Sequence, residues 1–190
     1  MKLIDTGEIK MVNAVMYFAN RVKYPYKLKI YKLLYFLDFI HFAQVGRPVT
    51  NQEYCAFEKG PVPKELDTAI NEEKLSDYFK RNIKIISESF PKGKAYKFIS
   101  LAKPKMEVFS PRELETLNNV ITIFKDAKAE EMTESSHLKN HPWERTKTDK
   151  GLFSTIDYLL AIDENALISR EIAAERLESH KEMINLFGNE

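Results

Sequence analysis

The chain has 190 residues, a formal charge of +1, 44% apolar residues and 12% aromatic residues. This length predicts one domain with a substantial core, and the aromatic content favours large packed clusters. Cys55 is the only cysteine, which excludes an intramolecular disulfide and favours a reducing compartment. Asp38 and His41 interrupt the longest apolar segment and no cleavable leader pattern opens the chain, so we expect a soluble cytoplasmic protein without a membrane span.

Two helices are predicted at the start of the chain. Asp5 and Glu8 have the spacing of a capping box, and apolar residues at helical spacing follow, which predicts an amphipathic helix over residues 8–23. The second helix, over residues 28–45, is apolar at nearly every position and ends at Gly46. Its polar positions lie all around the helix axis: Lys29, Lys32, Asp38, His41 and Gln44. A helix without a polar face is a buried one, so we expect this hub helix to lie at the centre of the fold.

The middle of the chain predicts a small sheet. Residues 53–58 favour a strand, and Pro63 suits the first turn of a helix over residues 63–72. Two β-prone runs at 83–86 and 95–101 flank a Pro-Gly turn, which predicts an antiparallel hairpin. Residues 53–58 would add a third strand to this hairpin, and the sheet would have one wet face.

The second half of the chain is predicted to be helical. Ser110, Pro111 and Glu113 form a capping box with proline at the first helical position, which is the clearest local signal in the chain. Three further features are expected: a helix over 129–139, an exposed loop over 146–151 and a short apolar segment over 156–162. Ser169 begins a last helix, whose apolar stripe would suit the seam of a homodimer.

These elements predict an α+β, predominantly α-helical fold. About six or seven helices would surround the buried hub helix, beside a small antiparallel β-sheet, in a single domain over residues 1–190. Charge is unevenly distributed along this domain: residues 79–105 hold eight basic residues against one acidic, and residues 157–190 hold eight acidic against three basic. Such a dipole can steer a charged partner, although two complementary solvated faces are the commoner explanation.

Two pairs of side chains have a spacing that chemistry could use. His137 and His141 are four residues apart, as metal ligands on a helix would be, but Pro142 interrupts the helix and no third ligand is obvious. Asp38 and His41 are three residues apart, but no nucleophile stands beside them, and a polar pair satisfied inside a helical core is commoner. We therefore expect no catalytic residue, metal or cofactor, and a metal-dependent enzyme is the weakest alternative.

Nucleic-acid binding is a stronger alternative than an enzyme. On the predicted hairpin, Lys94 and Lys97 alternate with Tyr96 and Phe98, which combines positive charge with stacking surfaces. The chain as a whole is nearly neutral, however, and no helix rich in Arg, Asn and Gln is present. The absence of any complete catalytic or phosphate-binding pattern makes a protein-interaction module the default interpretation.

A set of short motifs resembles the Panacea domain, also called the SocA-like antitoxin or phage-associated domain. The matching motifs are Lys32-Leu33-Leu34-Tyr35-Phe36, His41, Gly46-Arg47-Pro48, Ala56-Phe57, Gly60-Pro61-Val62 and His141-Pro142-Trp143. The resemblance covers about residues 8–150 and leaves residues 151–190 as a C-terminal helical extension. Phe57 stands where the family often has tryptophan, and the Gly60–Pro63 turn is one residue tighter than the usual form.

The resemblance implies an antitoxin of a toxin–antitoxin system, which neutralises a cognate toxin by direct binding. One member of the family instead delivers its toxin to a Clp-type protease, so a proteolytic adaptor is a further implied role. The expected contact surfaces are the hairpin residues Lys84, Lys94 and Lys97 and the turn residues Gly60, Pro61 and Val62. The residues expected to be structural are Asp38, His41, His137 and Trp143, with a histidine hydrogen-bonded to backbone near a buried Trp143.

Overall fold

A computed structural model describes residues 6–91, 93–136 and 141–187. Within these ranges the chain forms eight α-helices and two antiparallel two-stranded sheets, an α+β fold that is predominantly helical, as predicted. The helices are α1 (Thr6–Ala19), α2 (Lys27–Val45), α3 (Lys64–Asn71), α4 (Asp77–Asn82), α5 (Pro111–Phe124), α6 (Ala129–Ser136), α7 (Pro142–Lys150) and α8 (Arg170–Phe187). The strands are β1 (Tyr54–Phe57), β2 (Gly60–Pro63), β3 (Ile83–Phe90) and β4 (Gly93–Ser100).

Helix α2 is the hub that its sequence predicts. Its residues are buried on all sides, and it packs against α1, α5, α6, α8, β2 and β4. The helix ends at Gly46, which adopts a left-handed conformation with φ of 72° and donates its backbone N–H to the carbonyl of Phe42 over 2.8 Å. Glycine enters this conformation without the steric cost that a Cβ atom imposes, so the predicted helix stop is confirmed.

Two buried lysines of α2 fasten the connection between α5 and α6. The Nζ atom of Lys29 donates to the carbonyls of Lys23, Lys125 and Ala127 over 2.8, 3.1 and 2.6 Å, so all three ammonium protons have acceptors. Lys32 donates to the carbonyl of the first residue of α6 over 2.8 Å. Burial lowers the pKa of both lysines to about 8. These contacts explain how a helix with lysines on it lies at the centre of the core.

The predicted hairpin is confirmed, but the predicted third strand is wrong. Strands β3 and β4 pair with each other over eight residues each, whereas β1 pairs with β2 in a separate sheet. The reason is the two-residue turn at Glu58 and Lys59. Gly60 follows it with φ of 120°, a backbone conformation that L side chains rarely adopt, and the chain therefore reverses at once. Residues 60–63 thus form a strand of their own before α3 begins.

The predicted loop over residues 146–151 is also wrong, and this accounts for a helix beyond the expected six or seven. Residues 142–150 form α7, although their composition is mostly polar. Pro142 occupies the first helical position, where its missing N–H costs nothing. Trp143 and Thr146 are buried, with 1% and 2% of their surface exposed, and they attach α7 to the core. Tertiary packing therefore stabilises a helix that has no apolar stripe of its own.

Several helix ends differ from their predicted positions. Helix α1 ends at Ala19 instead of residue 23, and the chain then turns through Tyr24, whose φ is 58°, before α2 begins. Helix α6 is described as far as Ser136, and residues 137–140 lie outside the described ranges. The capping box of α5 is confirmed, since Glu113 accepts the N–H of Ser110 over 2.7 Å. In the described ranges, no helix has both the length and the apolar character that crossing a membrane requires.

Candidate functional site

The carboxylate of Asp38 holds the segment that follows α2. Its Oδ1 atom accepts the N–H groups of Val49 and Thr50 over 2.8 and 2.7 Å. Its Oδ2 atom accepts the hydroxyl groups of Thr50 and Tyr54, the latter over 2.8 Å. Asp38 is fully buried, and burial raises its pKa to about 6 although the four hydrogen bonds favour the ionised form. The carboxylate thereby fixes residues 49–54 against the middle of α2.

His41 holds the same segment one helical turn further along. Its Nδ1 atom lies 2.8 Å from the carbonyl oxygen of Arg47, and burial lowers the pKa of the imidazole. A neutral imidazole that carries its proton on Nδ1 donates to this carbonyl. The hydrogen bonds of Asp38 and His41 thus go to different partners, and the two side chains act as two anchors of one loop. The Arg47 side chain itself is exposed.

Trp143 connects α7 to β1. Its Nε1 atom donates to the carbonyl oxygen of Phe57 over 3.1 Å. His141 is the N-cap residue of α7, and its carbonyl accepts the N–H of Arg145 over 3.0 Å. His137 lies outside the described residues. Among the residues that are described, no three His, Cys, Asp or Glu side chains are grouped where they could hold a metal ion.

Gly60, Pro61 and Val62 are buried, because they form the strand β2 that packs on α2. The exposed side chains at this place are the two turn residues, Glu58 and Lys59. A partner that reaches the turn would therefore meet Glu58 and Lys59 before it meets the Gly-Pro-Val motif.

The three hairpin lysines do not form one basic surface. The cross-strand register places Lys84 and Lys97 on one face of the hairpin and Lys94 on the other. Lys97 is compensated by Glu88, whose carboxylate lies 3.3 Å from its Nζ atom. Glu88 also accepts the hydroxyl of Tyr26 over 2.6 Å. The opposite orientation of Lys94 and Lys97 could be predicted from their spacing, since residues three apart on a strand point to opposite faces.

Lys94 instead borders an aromatic cleft that sequence reasoning missed. This hairpin cleft has a volume of about 370 Å³ and lies between the start of α2, strand β4 and the start of α6. The larger residues that line it are Tyr24, Tyr26, Lys27, Leu28, Lys94, Tyr96, Lys128 and Glu130. Tyr24 and Tyr96 are 53% and 43% exposed. Three segments that are distant in sequence form the cleft, so no local sequence pattern predicts it.

The lysines around the hairpin cleft differ in whether a carboxylate pairs with them. Lys27 is tied to Asp67 by an ion pair of 2.7 Å, and its Nζ atom lies 5.8 Å from the ring centroid of Tyr96. Lys94 and Lys128 have no carboxylate partner among the described residues. Exposed tyrosines are typical of protein-binding surfaces, because tyrosine contributes a large contact area at a small cost in entropy.

Comparison with known proteins supports the same family as the motifs. The sequence model of one family, described as "Antitoxin SocA-like, Panacea domain", matches residues 30–144, which is more than half of the chain. The match extends from α2 to the first three residues of α7 and so includes the Asp38 anchor, both sheets and Trp143. No curated protein and no solved structure matches the chain.

The anchor role of Asp38 predicts a large loss of stability in Asp38→Asn. The substitution keeps the size of the side chain but removes the charge, and it replaces one of the two acceptor oxygens by an NH2 donor that faces two of the four donor groups. We expect the free energy of unfolding to fall by about 3–5 kcal/mol at neutral pH, measured by urea denaturation. Asp149→Asn, at an exposed position of α7, is the matched control and should change stability by less than about 0.5 kcal/mol.

The raised pKa of Asp38 also fixes the sign of a pH dependence. Its folded-state pKa of about 6 exceeds its ordinary value of 3.8, so between these values the folded chain binds more protons than the unfolded chain. The contribution of Asp38 to stability therefore decreases as the pH rises from about 4 to about 7, by up to roughly 3 kcal/mol. The difference in unfolding free energy between wild type and Asp38→Asn should therefore be larger near pH 4 than near pH 7. A gap that is constant or widens with pH would contradict a raised pKa.

Proposed function

The chain belongs to the family of SocA-like antitoxins with a Panacea domain, and on that basis we propose that it neutralises a cognate toxin protein by binding it directly. The family match over residues 30–144 is the observation that carries this proposal. Direct binding needs a stable surface and no reacting group. The buried anchors of α2 supply such a surface, because they fix the segments that surround the hub helix.

The hairpin cleft is the proposed toxin-binding surface. Tyr24, Leu28 and Tyr96 expose apolar area there. Lys94 and Lys128 add two positive charges, against the one carboxylate of Glu130 that lines the cleft. The start of α2 and the paired strand β4 give the cleft rigid walls, which lowers the entropy lost on binding. A toxin surface with an apolar protrusion and acidic neighbours would match this chemistry.

The β1–β2 turn is a second proposed contact. Glu58 and Lys59 would touch the toxin, and buried Gly60, Pro61 and Val62 would hold the turn in its conformation. This division of roles follows from burial, since a side chain inside the core supports a contact surface without being part of it.

Homodimerisation through α8 is a further proposal, with residues that coincide only in Ile172 with the predicted stripe of Ile172, Ala173, Leu177, His180, Ile184 and Phe187. Ala173 of that stripe is buried against Gly46 of its own chain. Among the side chains of α8 that the structure describes, the exposed large apolar ones are Ile172, Met183 and Leu186. These three are the side chains that a second copy of the chain could cover.

Nucleic-acid binding has less support than toxin binding. Lys84 and Lys94 lie on opposite faces of the hairpin, and Lys97 is paired with Glu88. A nucleic-acid backbone would need several uncompensated cations along one track. The hairpin does not align these three lysines in that way.

Co-expression with the product of the neighbouring reading frame tests the toxin-binding surface. We expect the neighbour to arrest growth when expressed alone, and the wild-type chain to restore growth and co-purify with it. Lys94→Glu, at the rim of the hairpin cleft, should weaken binding by about tenfold or more, because it places an acid where a cation is needed. Lys84→Glu is the matched control on the opposite face and should restore growth like the wild type.

Two results of this experiment would contradict the account. A neighbour that is harmless and does not co-purify would remove the proposed toxin. Equal rescue and equal co-purification with Lys94→Glu and Lys84→Glu would place the contact outside the hairpin cleft.

A proteolytic adaptor role is the finer version of the proposal. If the chain delivers the bound toxin to a Clp-type protease, the toxin should have a shorter half-life in its presence, and deletion of the protease should restore the longer half-life. The measurement is a chase of toxin levels after synthesis is stopped. A toxin that is neutralised but equally long-lived in both strains would leave neutralisation by binding alone.

A further inference from the structure

A second cleft lies at the other end of α2 from the hairpin cleft. It has a volume of about 670 Å³, and four cationic side chains from four different segments line it. They are Lys10 of α1, Arg47 of the loop after α2, Arg112 of α5 and Arg176 of α8. We call it the cationic cleft. Given the rise of about 1.5 Å per residue in an α-helix, Leu28 at one cleft and Val45 at the other are separated by roughly 25 Å.

The positive charge of the cationic cleft is not neutralised from within. Glu113 is the one carboxylate among the described residues that line it. Its Oε1 atom lies 2.7 Å from the Nζ atom of Lys10, and its Oε2 atom accepts the N–H of Ser110. Lys10 and Glu113 thus compensate each other, and the three arginines have no carboxylate partner in the described part of the chain. Repulsion between cations that line the same cleft costs free energy, and a bound anion would offset that cost.

The walls of the cationic cleft are fixed in place before any ligand arrives. Asp38 and His41 hold the backbone of the loop that carries Arg47. Gly46 lets α8 approach this loop, since a Cβ atom added there would lie 3.1 Å from Cβ of Arg176. Arg176 also donates to the carbonyl of Val45 over 3.1 Å. Such positioning reduces the entropy lost when guanidinium groups bind an anion.

The lining of the cationic cleft indicates the class of anion. Guanidinium groups bind carboxylates and phosphates through paired hydrogen bonds. No Phe, Tyr or Trp ring lines the cleft among the described residues, so it offers no aromatic platform on which a nucleotide base could stack. The exposed apolar side chain there is Met183, which adapts its shape to aliphatic partners. A chain of carboxylates on aliphatic stems fits this combination better than a nucleotide.

We propose that the cationic cleft binds an acidic peptide segment of a partner protein, with its Asp or Glu carboxylates bound by Arg47, Arg112 and Arg176. The site is separate from the proposed toxin-binding surface, because the two clefts lie at opposite ends of α2 and share no lining residue. Loss of one site is therefore distinguishable from loss of the other.

Fluorescence anisotropy with labelled hexaglutamate and the full chain tests this site. We expect saturable binding that weakens as salt is added, and no displacement by hexaglutamine. Arg47→Gln/Arg112→Gln should lower the affinity about tenfold or more for each guanidinium removed, since each loses charge-assisted hydrogen bonds. Lys80→Gln/Arg81→Gln removes two exposed cations from α4 and is the control of equal charge, expected to bind like the wild type apart from a small nonspecific loss.

Three results would overturn the proposal. They are no saturable binding of hexaglutamate at low salt, equal loss of affinity in the two double variants, and pyrophosphate binding that is tighter than peptide binding and displaces it. The last result would assign the cleft to phosphate-bearing ligands instead. Circular dichroism of Arg47→Gln/Arg112→Gln confirms that the variant is folded before its affinity is compared.

Discussion

The buried carboxylate of Asp38 is the contact on which the arrangement around α2 depends. It lies in the centre of an otherwise apolar helix and accepts four hydrogen bonds from the segment that follows that helix. Removing a carboxylate from water is costly, and these four donors offset much of that cost. The chain is therefore held in one conformation between Gly46 and Tyr54, because other conformations of this segment would leave the carboxylate without its donors.

Other polar residues of α2 also form hydrogen bonds that hold neighbouring segments, at other positions along the helix. Lys29 and Lys32 hold the carbonyls of the α5–α6 connection, and His41 holds the carbonyl of Arg47. Apolar packing alone would bury α2 without specifying which segments lie against each part of it. The polar anchors supply that specificity, and they position the hairpin cleft at one end and the cationic cleft at the other.

Much of the fold follows from local patterns, whereas the two clefts do not. The apolar character of α2, its stop at Gly46, the capping box at Ser110 and the β3–β4 hairpin are all encoded in adjacent residues. Helix α7 depends on Trp143 packing against β1, which the polar sequence around it does not reveal. The β1–β2 pairing depends on the conformation of Gly60, and both clefts combine segments far apart in the chain. Family resemblance could supply the function class, but the placement of exposed side chains required three-dimensional structure.

Native-state hydrogen exchange at the backbone N–H groups of Val49 and Thr50 tests the central claim most directly. Both residues lie in a loop, outside any helix or strand, and loop amides ordinarily exchange through small local openings. If the Asp38 carboxylate fixes this segment, both amides should exchange only when the whole chain unfolds, with the same opening free energy as the slowest amides of α2. Exchange as fast as at the exposed turn residues Glu58 and Lys59 would show that the segment opens by itself, and would contradict the account.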